Sequence, residues 1–142
     1  MQLGYTLKYD VSLSTDHFYK LVDETRQRII NSEKLSKPEK DSIITFGYGH
    51  IGDGNLHLNI TIPGYNDESL QSRLNDIIDP FVMQYVKDAK GSVSAEHGLG
   101  LQKAEFLSYS KSPEMIKAMR LIKNAFDPHG IMNPYKVLPP EH

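Results

Sequence analysis

Tyr5, Leu7, Tyr9, Val11 and Leu13 alternate with Thr6, Lys8, Asp10 and Ser12. A period of two puts each set on its own side of a pleated ribbon, so this stretch reads as a half-buried strand. Ser14 or Thr15 then stands where a helix cap is needed, and Phe18, Leu21, Val22, Thr25 and Ile29 recur at helical spacing. Residues 31–41 are charged, contain Pro38 and read as an exposed loop. Ile43 to Tyr48 is β-branched and aromatic, a second strand. A glycine-dense turn over residues 49–55 leads to a third, in which Leu56, Leu58, Ile60 and Ile62 alternate with His57, Asn59 and Thr61. Pro63 and Gly64 end it.

The next pattern predicts a long helix over about residues 67–90, with Leu70, Leu74, Ile77, Ile78, Phe81, Tyr85 and Val86 inward. Pro80 is expected to bend it, and Gly91 to supply its stop. Residues 92–95 read as a short fourth strand. Ser112 and Pro113 open a last helix carrying Met115, Ile116, Met119, Ile122 and Phe126. A turn at Asp127-Pro128-His129-Gly130 precedes the tail Asn133-Pro134-Tyr135-Lys136. The order β-α-β-β-α-β, then a helix, predicts an α+β fold: a ferredoxin-like sandwich, its antiparallel sheet carrying helices on one face.

Composition narrows the functions. The chain has 142 residues, 39% of them hydrophobic, enough for one core and too few for two domains of typical size. Residues 1–142 therefore read as a single domain. A net charge of −2 gives no footing for nucleic acid or a polybasic membrane anchor. With no cysteine, disulfides, thiolate metal sites and thiol nucleophiles are excluded. No apolar run spans a bilayer. Residues 1–10 read neither as a signal nor as a transit peptide, so Met1 need not be the native start and localisation is not legible.

The candidate chemistry lies in histidines. His57 and Asn59 sit two apart on a strand and share a face, opposite the apolar Leu56, Leu58 and Ile60. They read as looking outward from a firm platform. If the second and third strands form a hairpin, His50 comes towards His57. Imidazole nitrogens at such a spot suit zinc and similar divalent ions, and Glu96 completes a two-histidine, one-carboxylate set with open positions. The bland alternative is that a lone histidine beside a turn is usually solvated. His17 and His142 read as surface residues and His129 as a turn residue. Lys8 is a solvated strand lysine by default and a contact for an anionic substrate by function; Asn133 before Pro134 is by default a turn former. The run Gly47-Tyr48-Gly49-His50-Ile51-Gly52 has the spacing of a dinucleotide-binding loop but leads into a strand, where that motif requires a helix.

Residues 49–59, with His50, His57 and Asn59, and residues 91–100, Gly-Ser-Val-Ser-Ala-Glu-His-Gly-Leu-Gly, closely resemble the C-terminal domain of FAD-linked oxidases. Within that family the resemblance is strongest to D-2-hydroxyglutarate and D-lactate dehydrogenases. Residues 8–13 and 133–136 extend it over nearly the whole chain. The resemblance implies His50, His57 and Glu96 as metal ligands, His97 as the active-site base, and Lys8, Asn59 and His97 as substrate contacts. It places Asn133 near the flavin.

The resemblance also implies a large FAD-binding domain outside this chain, and an arginine and a threonine ahead of the Lys8 strand. The chain by itself is then expected to hold no flavin and to turn nothing over. The implied reaction removes a hydride from C2 and a proton from the hydroxyl of a 2-hydroxyacid, with FAD as oxidant and a divalent metal, zinc first, as second cofactor. The implied compartment is the mitochondrial matrix or the cytoplasm; the electron acceptor is unspecified. Two rivals stay open: a metal-binding domain without redox role, such as a hydrolase, and an interaction module, since some relatives carry an actin-interacting label.

Overall fold

A computed structural model describes residues 4–64 and 67–140. His142 lies outside the described residues. The first strand, β1 (Tyr5–Ser12), and the hairpin of β2 (Ile44–His50) and β3 (Asn55–Ile62) form one antiparallel sheet in the order β1-β3-β2. The hairpin turns through a single 3₁₀ turn at Ile51–Asp53 and Gly54, whose φ of 66° suits a residue without Cβ. On one face Leu7, Tyr9 and Val11 meet Leu56, Leu58, Ile60 and Ile62, all buried. Helices α1 (Phe18–Ile30) and α3 (Glu68–Asp88) cover that face and pack on each other. A Cβ on Gly47 would stand 2.7 Å from Val22, so the glycine lets α1 lie close on β2. The α+β architecture, with its helices on one face, is the one the pattern predicts.

The expected fourth strand is reduced to one bridge, Ser92 against Ser12, at the free edge of β1. Beyond it the chain leaves strand geometry because the Asp10 carboxylate gathers the N–H groups of residues 95–97. The helix stop also differs from expectation. Lys90 takes the left-handed conformation, φ 55°, and the Gly91 N–H bonds back to Val86 O at 2.8 Å. Gly91 is needed for another reason: a Cβ there would fall 2.3 Å from Ser12 O.

In α3 the buried stripe is Leu70, Leu74, Ile77, Ile78, Val82, Met83 and Val86. Phe81 and Tyr85, expected inward, are only half-buried. They sit at the rim, Phe81 beneath the Arg28 guanidinium and Tyr85 hydrogen-bonded to His17 Nδ1 at 3.0 Å. His17 is thereby tied to α3 and is not a plain surface residue. The last helix, α4 (Pro113–Phe126), is capped by Ser112 but buries none of its residues fully. Leu121, Ile122 and Phe126 are exposed, as are Ile131, Met132 and Tyr135 in the tail.

Within the expected loop stands a short helix, α2 (Lys37–Ser42). Its signature is Ser36 followed three residues later by Glu39, with Pro38 in the first turn. The Glu39 carboxylate accepts from the Ser36 N–H at 2.6 Å and from Arg73 on α3 at 2.7 Å. The Arg73 side chain, then the Ser36 hydroxyl and N–H, hold the Glu39 carboxyl down at about 2. A lowered carboxyl stabilises the fold fully above its ordinary value of 4.5 and loses that contribution as pH falls towards about 2. Glu39→Gln removes this acid-labile part. Its thermal midpoint is expected to fall less than that of the unsubstituted protein across the same pH window. Equal acid sensitivity in the two proteins would refute the role.

Candidate functional site

On the sheet face away from the helices, register sets the neighbours. His57 on β3 lies between Asp10 on β1 and Tyr48 on β2, and Asn59 lies between Lys8 and Phe46. The face is polar as the alternation requires, but His57 and Asn59 do not look into open solvent: both are buried, at 9% and 5% exposure. The segment after Ser92 runs along the free edge of β1 and brings the His97 ring over His57. Ala95 N–H bonds to Asp10 O at 3.2 Å, and the Lys103 ammonium donates to Lys8 O at 3.0 Å. Two outward carbonyls of an edge strand are satisfied in this way.

His50, at the end of β2, meets the His57 ring edge-on, centroids 5.6 Å apart. His97 stacks on His57 at 5.2 Å, with 17° between the planes. Glu96 Oε1 stands in their midst. It lies 3.1 Å from His57 Nε2, 3.5 Å from His97 Nε2 and 3.7 Å from His50 Nε2. The structure therefore brings His50, His57, Glu96 and His97 together. Ligand atoms bound at ~2.0–2.1 Å to a tetrahedral ion stand ~3.3 Å apart. The distances from Glu96 Oε1 to His57 and His97 suit such an ion, whereas His50 stands farther off and outside the donors that lie within 4.8 Å of one another.

Two donor sets compete. Asp10, His57, Glu96 and His97 have ligand atoms all within 4.8 Å of one another. The set named from sequence is His50, His57 and Glu96. Asp10 Oδ2 is committed to three backbone N–H groups at 3.2, 2.9 and 2.8 Å, and its Oδ1 lies 3.4 Å from His57 Nδ1, the nitrogen opposite the one that meets Glu96 Oε1. Burial alone would raise the Asp10 carboxyl, yet the N–H groups of His97 and Glu96 and the neighbouring His97 and His57 rings hold it below its ordinary value.

A cleft of about 630 Å³ opens beside the cluster, lined in part by Lys8, Asn59, His57, His97 and Lys103. His50 and Glu96 are not among its lining residues. His97 thus faces the cleft while His50 stands outside it. Lys8 and Asn59 are opposite one another in the register, on the cleft side of His57. Asn133 is elsewhere: it lines a separate cleft formed by the tail and α4, and its Oδ1 accepts from Lys136 at 3.2 Å. Its φ of 47° is one that asparagine tolerates better than most residues.

Sequence reading assigned no chemistry to two residues of this site. Asp10 was visible as a polar alternate of β1, in step with Lys8, but nothing local says that a segment some 85 residues away folds onto it. Lys103 lies over the Tyr9 ring, 5.5 Å from its centroid, and burial lowers its pKa against the pull of Asp10 and Asp79. Its only sequence signal is its closeness to the Glu96-His97 pair.

Comparison with known proteins agrees with the motifs. The chain is 48% identical over 130 residues to a Schizosaccharomyces pombe protein named putative D-lactate dehydrogenase, mitochondrial, covering 91% of the chain and 24% of that protein. It is 46% identical over 136 residues to the mitochondrial D-2-hydroxyglutarate dehydrogenases of Bos taurus and Arabidopsis thaliana, covering 96% of the chain and 22% of each. The chain thus spans about a quarter of the length of the curated relatives it matches. No helix among the described residues is long and apolar enough to cross a membrane. Residues 2–137 match the family described as FAD linked oxidases, C-terminal domain, and the chain belongs to that family.

Proposed function

We propose that this chain is the substrate- and metal-binding domain of a flavin-dependent dehydrogenase that oxidises a D-2-hydroxyacid, 2-hydroxyglutarate or lactate, to the 2-oxoacid. The observation that carries the reading is the meeting of three imidazole Nε2 atoms at Glu96 Oε1 on the rim of a cleft holding Lys8 and Asn59. His50, His57 and Glu96 would hold a divalent ion, zinc first. When bound, that ion supplies Lewis acidity towards substrate oxygens, and FAD supplies the two-electron acceptor.

The chain's own residues do the rest. The Lys8 ammonium and the Asn59 amide bind the substrate carboxylate and fix its orientation. His97 accepts the C2-hydroxyl proton on Nε2, the part an imidazole takes in general-base catalysis. Asn133 would contact the flavin. FAD is held mainly by a further domain of the same polypeptide. The exposed apolar residues of α4 and the tail support such a domain, since a patch of that kind on a lone domain marks a contact surface. The names of the relatives support a mitochondrial location.

The test is a substrate panel on the full-length protein. Expected are one flavin and one divalent metal per chain, and reduction of an artificial acceptor with D-2-hydroxyglutarate, D-lactate or D-malate. A flavin-free protein, or metal-dependent hydrolysis without oxidation of any 2-hydroxyacid, would overturn the reading.

A further inference from the structure

We propose that Asp10 is the positioning residue of this site, its two carboxylate oxygens setting separately the course of the chain at Glu96-His97 and the tautomer of the His57 ring. The inference rests on the metal reading above but concerns a side chain outside the proposed ligand set. Adjacent side chains of an extended segment point to opposite sides. Glu96 and His97 nevertheless both reach His57. The N–H groups of Ala95, Glu96 and His97 all converge on Asp10 Oδ2. Three successive N–H groups can share one acceptor only if the backbone curls around it, as in an anion-binding nest. That curl turns both side chains to the same side.

The other oxygen has a different task. Asp10 Oδ1 is buried and without a hydrogen-bond partner among the described residues, and His57 Nδ1 lies 3.4 Å from it. A buried carboxylate oxygen calls for a donor, and Nδ1–H is the donor at hand. A proton held on Nδ1 leaves Nε2, the nitrogen facing Glu96, free to act as a metal ligand. Among the described residues Asp10 makes no such contact with His50, whose ring meets His57 edge-on and lies 3.7 Å from Glu96 Oε1.

The discriminating variant is Asp10→Asn. Three N–H donors select the amide oxygen for the nest, so the amide NH₂ is left facing His57 Nδ1. His57 must then accept at Nδ1 and carry its proton on Nε2, where Glu96 Oε1 receives it. The loop keeps its anchor, but the ligand nitrogen is lost. Zinc affinity of the full-length protein, measured by competition with a chelator, is expected to drop roughly 10–100-fold. In protein labelled with ¹⁵N-histidine, the His57 Nδ1 proton is expected in the unsubstituted protein and absent in Asp10→Asn. Unchanged zinc affinity in a folded Asp10→Asn protein would overturn the proposal. So would an unprotonated Nδ1 in the unsubstituted protein, a measurement that stands even if the variant fails to fold. Should the unsubstituted protein bind no zinc at all, the metal reading fails, and the Nδ1 proton still decides the role of Asp10.

Discussion

His97→Ala in the full-length protein is expected to lower kcat by roughly 10²–10⁴-fold while the metal stays bound. The argument is one of position. His97 lines the cleft with Lys8 and Asn59, whereas His50 does not. A base must reach the substrate hydroxyl, and a ligand need not. His97 is also the most exposed member of the cluster, its side chain 65% accessible against 11% for His57. It stacks on His57 and is fixed mainly through its backbone, by the bond from its N–H to Asp10. Removing the ring leaves His50, His57 and Glu96 in place. KM should change little, since the carboxylate anchors are untouched. Metal content and kcat measured on the same preparation decide the matter. If His97→Ala loses zinc as completely as a ligand variant does, then His97 belongs to the donor set with His57 and Glu96, and His50 stands outside it.

The sheet and the principal helices were legible because their signals are periodic. Alternation placed Tyr9 and Leu58 on one face and Lys8, Asp10, His57 and Asn59 on the other, as the register has them. The motif around His50 and His57 was legible because a tight turn between two strands forces its ends together. What stayed hidden depends on contacts distant in sequence. The fourth strand dissolves because Asp10 competes for the N–H groups that a ladder would use. His57 reads as solvated until the segment after Ser92 closes over it. The half-burial of Phe81 and Tyr85 follows from Arg28 and His17, on elements that their own periodicity does not mention. Only α2 was missed despite a local signature, the Ser36–Glu39 pair, because charge and Pro38 in one stretch also describe a loop.

Loss of His57 should reach further than loss of any other member of the cluster. It alone touches Asp10, Glu96, His50, His97 and Tyr48, and it is the only one of the histidines in the cluster that is buried. His57→Ala removes a proposed ligand, leaves Asp10 Oδ1 without its neighbouring donor, and takes away the ring on which His97 stacks. Zinc affinity should fall by more than the roughly 10–100-fold expected of an outer partner such as Asp10. Activity at stoichiometric zinc should fall to background. Excess zinc should restore part of it, because His50 and Glu96 still offer two donors and His97 is still present as base. That rescue separates the variant from His97→Ala, in which zinc is already bound and more of it changes nothing. The measurement is activity against free zinc for both variants, with bound zinc determined at each point. Zinc retained at full occupancy in His57→Ala would show that the cluster around Glu96 Oε1 is not the metal centre.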